Sequence, residues 1–391
     1  MQDKQRTLRF WLSAALIVLI LAVAAGLTAN RFYVKHEIEE YAGKFALLST
    51  LRRNALENYF HTASAEIHFW TLNQKLLQSQ REIVALWQHY HSTEGDSAAA
   101  LRQVYITENP YPDGQRGEFL GPDQQGIYIE FHKQFHPFAR RFVSERGYYD
   151  MFMISPQGNI FYSVEKEDDF ATNLNHGPYR DTALAEVFQQ AIAGAADQSF
   201  VAFSDIEAYR PSNMDPAMFM ARALLNKQGE LLGVLALQLP MNRLRTIMNF
   251  TAGMGESGET YLVGEDFFMR SDSRFNDTST ILNTRVETQT VKKALAGEQG
   301  VEFTPGYRGI EVLSAYDSLE VNGKRWAVMA EIDKQEVMAQ LASRRPGIMA
   351  FASFLYALAM FSLWFVSPGD WSQRGSIASI SSGSDFGDGG A

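Results

Sequence analysis

An α+β architecture is predicted: one long N-terminal stalk helix carries two tandem α/β modules with antiparallel sheets, and two membrane-crossing helices flank the whole. Three observations lead there. Apolar runs from Phe10 to Ala29 and from Ile348 to Val366 bracket the chain. A run without proline or glycine from Lys44 to Tyr90 repeats its apolar residues at helical spacing. After it, strand, turn, strand, short helix occurs twice in the same order.

Each bracketing run has roughly twenty residues, and at about 1.5 Å rise per residue that spans a hydrocarbon layer about 30 Å thick. The first run exceeds a signal-peptide core and continues straight into a helical pattern, so it reads as an uncleaved anchor. Lys4, Arg6 and Arg9 precede it and place the N-terminus in the cytoplasm, whereas Arg344 and Arg345 before the second run vote the other way. The first helix dominates such a conflict, and the large middle region is expected outside. The chain divides accordingly into a cytoplasmic N-terminus (1–9), a first span (10–30), a stalk helix (31–95), a membrane-distal module (96–250), a membrane-proximal module (251–343), a second span (346–367) and a Ser/Gly-rich cytoplasmic tail (368–391).

Composition narrows the function. The net charge of −10 argues against a nucleic-acid partner, which needs a basic face. Cysteine is absent, so disulfides, thiolate metal sites and cysteine nucleophiles are excluded.

Along the stalk, Ile38, Tyr41, Phe45, Leu48, Leu51, Leu56, Tyr59, Phe60, Ile67, Trp70, Leu76, Ile83 and Trp87 mark one amphipathic helix, bent or straight. A small domain cannot cover such a helix on all sides, so part of it is expected to meet a second copy and make a homodimer. Residues 96–147 mix helical stretches with turn signals. Tyr148–Ile154 and Asn159–Val164 form a hairpin around Ser155-Pro156-Gln157-Gly158. Tyr179–Gly194 reads as helix, and Phe200–Phe203, Ala217–Leu225 and Leu231–Leu239 complete a sheet. In the second unit, Thr260–Gly264 pairs with Phe267–Ser271, Thr290–Ala296 is helical, and Val312–Tyr316 pairs with Arg325–Ile332. Lys334–Leu341 then leads as a helix into the second span.

Several phrases carry a family resemblance. They are Arg102-Gln103-Val104-Tyr105-Ile106-Thr107-Glu108-Asn109-Pro110, Glu145-Arg146-Gly147-Tyr148-Tyr149-Asp150, Gly258-Glu259-Thr260-Tyr261-Leu262-Val263-Gly264, Met269-Arg270-Ser271-Asp272-Ser273-Arg274-Phe275 and Val312-Leu313-Ser314-Ala315-Tyr316. As a set, over about Tyr41 to Leu341, they resemble the double-Cache, PAS-like sensor region of bacterial chemoreceptors, membrane histidine kinases and membrane adenylate or guanylate cyclases. The resemblance implies an extracytoplasmic sensor in the bacterial inner membrane, usually dimeric, with a small-molecule pocket in the distal module. Such receptors continue past the second span into an output domain. The sequence ends in a linker-like tail instead, so no catalytic role, cofactor or metal is expected. A separate membrane or cytoplasmic signalling partner is expected to receive the message. The competing expectations are a non-catalytic accessory subunit that uses the Cache fold for docking, and a receptor, kinase or cyclase cut short.

The pocket implied by the resemblance lies between the distal sheet and the segment covering it. Tyr162, Lys166, Asp169, Tyr179, Arg180 and Asp181 are its polar and aromatic candidates, with Asp205, Tyr209 and Ser212 at the far edge. Arg180 beside Asp181 would clamp the carboxylate and ammonium of an amino-acid-like ligand, or the two would simply pair at a helix start. Amino-acid-recognising members carry an arginine followed closely by Trp-Tyr. No such arrangement occurs here, and other small acids or amines stay open. In the proximal module Arg270, Ser271, Asp272, Ser273 and Arg274 form a polar cluster that suits either a ligand or a hydrogen-bonded turn. His132 and His136 share a helical spacing, but two histidines fall short of a metal site. His89 and His91 read as the polar end of the stalk. Metalloprotease, serine-hydrolase and phosphate-loop motifs are absent.

Overall fold

The computed structural model describes residues 2–93 and 97–366, without the side chains of 2–8, 88–93, 343–346, 348, 349, 352 and 363–366. The tail 368–391, His89 and His91 as side chains, and the arginines flanking the second apolar run therefore lie outside the description. The chain divides into two units: Ala42–Glu336, and the described parts of Met1–Tyr41 with Val337–Ala391.

Helix α1 (Gln2–Thr71) contains the first apolar run and the stalk without a break. Among the described residues Arg9–Thr71 is the one helix long and apolar enough to cross a bilayer, and Ser353–Ser362 is a shorter apolar stretch. The stalk pattern breaks at Leu72-Asn73, where α2 (Gln74–Thr93) begins. Asn73 caps that restart, its side-chain oxygen accepting from the backbone of Lys75 at 2.9 Å and Leu76 at 3.2 Å. Next come α3 (Ser97–Arg102) with a π turn at Gln103–Thr107, a 3-10 turn at Arg116–Glu118, and α4 (Ile127–Arg146). The last is a full helix that turn signals and Pro137 concealed in the sequence. Gly147 closes it in a left-handed conformation, φ 75°.

Strands β1 (Asp150–Ile154) and β2 (Ile160–Ser163) form the expected hairpin. Helix α5 (Ala183–Ala193) starts later than the pattern suggested and is capped by Thr182. Strand β3 (Ala202–Phe203), a small ribbon β4 (Glu207–Tyr209) with β5 (Asp215–Ala217), then β6 (Phe219–Leu225) and β7 (Leu231–Gln238) follow. The five-stranded sheet runs β2-β1-β7-β6-β3, every pair antiparallel. After α6 (Met241–Met248) come β8 (Glu259–Val263), α7 (Gln289–Leu295), β9 (Gly300–Pro305), β10 (Glu311–Val321) and β11 (Lys324–Asp333). These make a four-stranded sheet, β8-β11-β10-β9, and α8 (Lys334–Val366) ends the described chain.

Both sheets share one strand order: β1-β7-β6-β3 in the first corresponds to β8-β11-β10-β9 in the second. The counterpart of β2, expected at Phe267–Ser271, is reduced to an isolated bridge, Val263 with Met269.

Each sheet is buried on both faces, which explains why its strands read as nearly continuous apolar runs. In the first sheet Phe152, Ile154, Phe219 and Val234 pack against Leu184, Val187 and Phe188 of α5. The opposite face, with Met151, Met153, Leu235 and Leu237, meets Phe131 and Phe135 of α4 and Phe60, Ile67 and Ile83 of the long helices. That same core continues to Leu262, Trp326 and Val328 of the second sheet, so one stalk helix supports both. Val291 and Ala294 of α7 cover the remaining face. Gln80 pins α2 to the first sheet, donating to the Ile154 and Leu232 carbonyls at 3.1 Å each. A Cβ at residue 233 would sit 2.0 Å from the Gln80 amide nitrogen, so this crossing requires Gly233.

Candidate functional site

Asp150 opens β1, and its cross-strand partner is Gln238, the last residue of β7. Charged and amide side chains at the ends of two central, otherwise apolar strands are costly unless they find partners. Asp150 finds three for one oxygen: Oδ1 accepts from the backbone N–H of Met151 (2.6 Å), Val164 (2.7 Å) and Glu165 (3.2 Å). Its Oδ2 has none. Gln238 donates through Nε2 to the Ser212 hydroxyl at 3.3 Å, and its Oε1 is likewise unpartnered.

The network continues into the segments that cover the strand ends. Ser212 and Tyr149 donate their hydroxyls to the two oxygens of Glu167, at 2.7 Å each. Tyr209 donates to Asp169 Oδ2 at 2.6 Å, and Asp169 Oδ1 is without a partner. Asp150, Asp169 and Tyr209 are fully buried, and Glu167, Ser212 and Gln238 nearly so. A cleft of about 490 Å³ reaches this network, lined among others by Tyr149, Ser212, Gln238, Asn242, Arg245 and Ser279. Lys166 and Ala171, in the covering segment, hold left-handed backbone at φ 57°, a conformation non-glycine residues adopt at a cost.

Burial dominates the electrostatics. It raises Asp150 well above the usual carboxylate range, helped by Glu165, Asp169 and Glu167 nearby. It pushes Glu165 and Asp169 up to about 7 each, the Tyr209 hydrogen bond opposing it at Asp169. Glu167 is also raised by burial, against the donors Tyr149 and Ser212. Lys166 is lowered by burial, against the pull of Asp150 and Glu165. Its ammonium donates to the Ser163 carbonyl and lies 4.4 Å from the ring centre of Tyr162 and 5.1 Å from that of Phe170.

Of the residues singled out in the sequence, Asp169, Tyr209 and Ser212 belong to this network. Tyr162 sits in the core beside α4 and shares its hydroxyl with His136 Nδ1 at 2.8 Å. Tyr179 is half-buried beneath Arg210, whose guanidinium carbon is 5.4 Å from the ring centre. Arg180 and Asp181 are 56 % and 83 % exposed and pair with each other at 3.3 Å, so no clamp is turned inward. Asp205 is placed elsewhere altogether. Its carboxylate takes both arms of Arg270, at 2.9 Å each, and the Trp326 indole N–H at 3.0 Å. It joins the five-stranded half to the four-stranded half instead of edging the first sheet's pocket.

Sequence reading missed Asp150, Tyr149, Glu167 and Gln238. The available signals were an acid opening an apolar strand, a glutamine closing one, and the acidic run Glu167-Asp168-Asp169.

The other candidates resolve as structure. Arg270 also pairs with Asp266 at 2.9 Å. Asp272 accepts from the Ser279 hydroxyl (2.7 Å) and the Thr280 N–H (3.0 Å), and Arg274 donates to the Gly258 and Glu256 carbonyls at 2.7 Å. Asp272 and Arg274 thus form a hydrogen-bonded turn. His132 and His136 stack at 4.4 Å inside the core. His136 bonds the Gly117 carbonyl at 2.7 Å and His132 the Leu120 carbonyl at 3.0 Å. Burial depresses both, His136 to about 3. Among the described residues no group of three or more His, Cys, Asp or Glu could hold a metal ion.

The four-stranded half has a buried acid pair of its own. Glu259, first residue of β8, stands opposite Glu331 of β11. Glu259 accepts from Ser273 (2.7 Å) and Tyr307 (2.9 Å), with Arg308 at 3.5 Å, and Glu331 accepts from Ser314 at 2.7 Å.

A family model described as "Cache domain", of the double-Cache type, matches residues 35–341. No curated protein sequence matches the chain. Among solved structures, the ligand-binding domain of the Pseudomonas aeruginosa PAO1 amino acid chemoreceptor PctC, in complex with GABA, is 16 % identical with a TM-score of 0.37. The match covers 71 % of this chain and all of that domain. The periplasmic sensory domain of the Campylobacter jejuni chemoreceptor Tlp1 is 13 % identical with a TM-score of 0.39, covering 66 % of this chain and 95 % of that one. The extracellular domain of the histidine kinase rpHK1S-Z16 is 14 % identical with a TM-score of 0.39, covering 68 % and 94 %. At these identities and scores no ligand is carried across.

Proposed function

The chain belongs to the Cache domain family as a double-Cache sensor region, and from that membership we propose that it is a membrane-anchored extracytoplasmic sensor. The five-stranded half, as the membrane-distal module, binds a small solute. Both apolar helices anchor it: Phe10, Leu16, Ile20 and Leu27 of α1 are exposed, as are Phe351, Phe354, Leu358 and Phe361 of α8. Rows of exposed apolar side chains on these helices suit lipid. The family match, residues 35–341, falls between them.

One observation carries the choice of site. The buried network of Asp150, Asp169 and Gln238 leaves polar atoms without partners and adjoins the cleft. Buried polar groups are almost always satisfied, so a cluster of exceptions favours a bound solute. Binding shifts signalling only through its preference for one conformational state. The Asp205–Arg270–Trp326 junction offers the route from one sheet to the other, and a separate membrane or cytoplasmic partner receives the output.

Thermal unfolding of the full chain in detergent, screened against small metabolites, tests this reading. At least one solute is expected to raise the midpoint, with the rise abolished by Asp169→Asn and unaffected by Arg180→Ala. If no solute does so, or if Arg180→Ala alone abolishes the effect, the site is wrongly placed.

A further inference from the structure

We propose that the solute of the five-stranded half is an organic cation that donates hydrogen bonds, an alkylammonium or guanidinium compound, and that carboxylates are rejected. The inference rests on the sensor reading above and assigns the ligand's chemistry. Three atoms carry it: Asp150 Oδ2, Asp169 Oδ1 and Gln238 Oε1 are buried and unpartnered, and with the two acids ionised all three are acceptors. Their residues are fully buried in two cases and 4 % exposed in the third.

They are contiguous. Asp150 and Gln238 are directly opposed across β1 and β7, which sets their Cβ atoms about 5 Å apart. Gln238 reaches Ser212, Ser212 reaches Glu167, and Asp169 follows two residues later, tied to Tyr209. A ligand satisfying these atoms must bring donors. One bringing acceptors would leave them unmet and add its own, the costlier outcome in a buried site.

Charge agrees with the hydrogen-bond inventory. Asp150, Glu165, Glu167 and Asp169 act on one another electrostatically, and the buried cation among them is Lys166. Lys166 makes no ion pair among the described residues and sits over aromatic rings. The guanidiniums nearby are committed elsewhere: Arg102 to the Asp168 and Phe170 carbonyls, Arg116 to Asp113 and Asp168, Arg180 to Asp181, and Arg245 to Asp272. None of these four guanidiniums is left to recognise a carboxylate in a two-pronged fashion. Burial favours the neutral acids while the site is empty, so a cation entering by the cleft past Tyr149, Ser212 and Gln238 would displace their protons to solvent and pair with the carboxylates in a desolvated setting, where attraction is strong.

The test is calorimetric titration and thermal unfolding of the full chain in detergent. The cations are methylammonium, putrescine and agmatine, with tetramethylammonium as a cation lacking donors and acetate and succinate as anions. At least one donor cation is expected to bind and raise the midpoint by about 2 °C or more at saturation. Asp169→Asn, which keeps size and the Tyr209 contact, is expected to weaken binding at least about tenfold, and Gln238→Met supplies a second variant if the first folds poorly. Tetramethylammonium is expected to bind at least about tenfold more weakly than methylammonium. Stabilisation by acetate or succinate that Asp169→Asn abolishes would keep the sensor reading and overturn the cationic ligand. Indifference to all of these cations and anions would overturn the cationic ligand, and indifference to the wider metabolite screen as well would overturn the sensor reading with it. Equal effects of tetramethylammonium and methylammonium, or effects unchanged in both variants, would mean non-specific charge screening and overturn the proposal.

Discussion

The two sheets place a buried acid at the same topological position and treat it in opposite ways. Asp150 opens β1 opposite Gln238, and Glu259 opens β8 opposite Glu331. In the shared strand order these are corresponding pairs. The four-stranded half closes its pair, since both oxygens of Glu259 accept from Ser273 and Tyr307 with Arg308 beside them. The five-stranded half leaves one oxygen of Asp150 and the amide oxygen of Gln238 open. One position is therefore braced internally in one half and keeps unpartnered oxygens in the other. What separates them is which hydroxyls and guanidiniums the surrounding loops bring, not the fold.

Breaking the junction between the halves is expected to have the largest effect. Arg270 is 3 % exposed, and Asp205→Ala would leave it with Asp266 and the Phe268 carbonyl and strand the Trp326 N–H. Losing one partner of a buried pair costs about 3–5 kcal/mol, so the thermal midpoint should fall by several degrees. The double variant Asp205→Ala with Arg270→Leu should recover a good part of the loss, because removing both charges removes the desolvation penalty. A double variant no better than the single one would show that the carboxylate acts through something other than Arg270.

The acid pair of the four-stranded half comes next. Burial lifts Glu331 from an ordinary 4.5 to about 7, so the folded protein holds a proton there that the unfolded chain releases. Its contribution is complete below about pH 4.5 and is lost as pH rises through 7, on the order of 3 kcal/mol in all. Asp169 and Glu165 shift the same way, so the informative quantity is a difference between proteins. Thermal midpoints at pH 5 and pH 8 should lie closer together for Glu331→Gln than for the parent. An unchanged pH gap would contradict the assignment.

A smaller effect sharpens the contrast directly. Tyr209→Phe removes the one side-chain donor on Asp169 and should cost about 1–2 kcal/mol. Tyr307→Phe leaves Glu259 with Ser273 and Arg308 and should cost less. The reverse order in thermal denaturation would erase the distinction between an open and a closed network. Smallest of all, Arg180→Ala removes an exposed pair and should change stability by less than about 0.5 kcal/mol.

Much of the architecture was legible because it rests on local periodicity. The long helix, the hairpin around residues 155–158 and the main strands of both sheets follow from apolar spacing and turn residues. Helix α4 was hidden by Pro137, which the tertiary packing of Phe131, Phe135 and Phe142 tolerates inside a helix. Strand β9 and the β4–β5 ribbon carried too short a pattern to stand out. In the site, Asp169, Tyr209 and Ser212 were visible as polar residues in a covering segment, whereas Asp150 and Gln238 were masked by the apolar strands they terminate.

By itself the sequence determined that two apolar runs bracket the chain, that a long helix accompanies two antiparallel sheets, and that the family is Cache. Those properties are written in residue spacing. Only the tertiary structure decided that Asp205 meets Arg270 across 65 positions, that Arg180 faces water, and that three buried oxygens lack donors. Partnership in a folded core depends on which distant segments the strand order brings within hydrogen-bonding reach, and no local pattern encodes that distance.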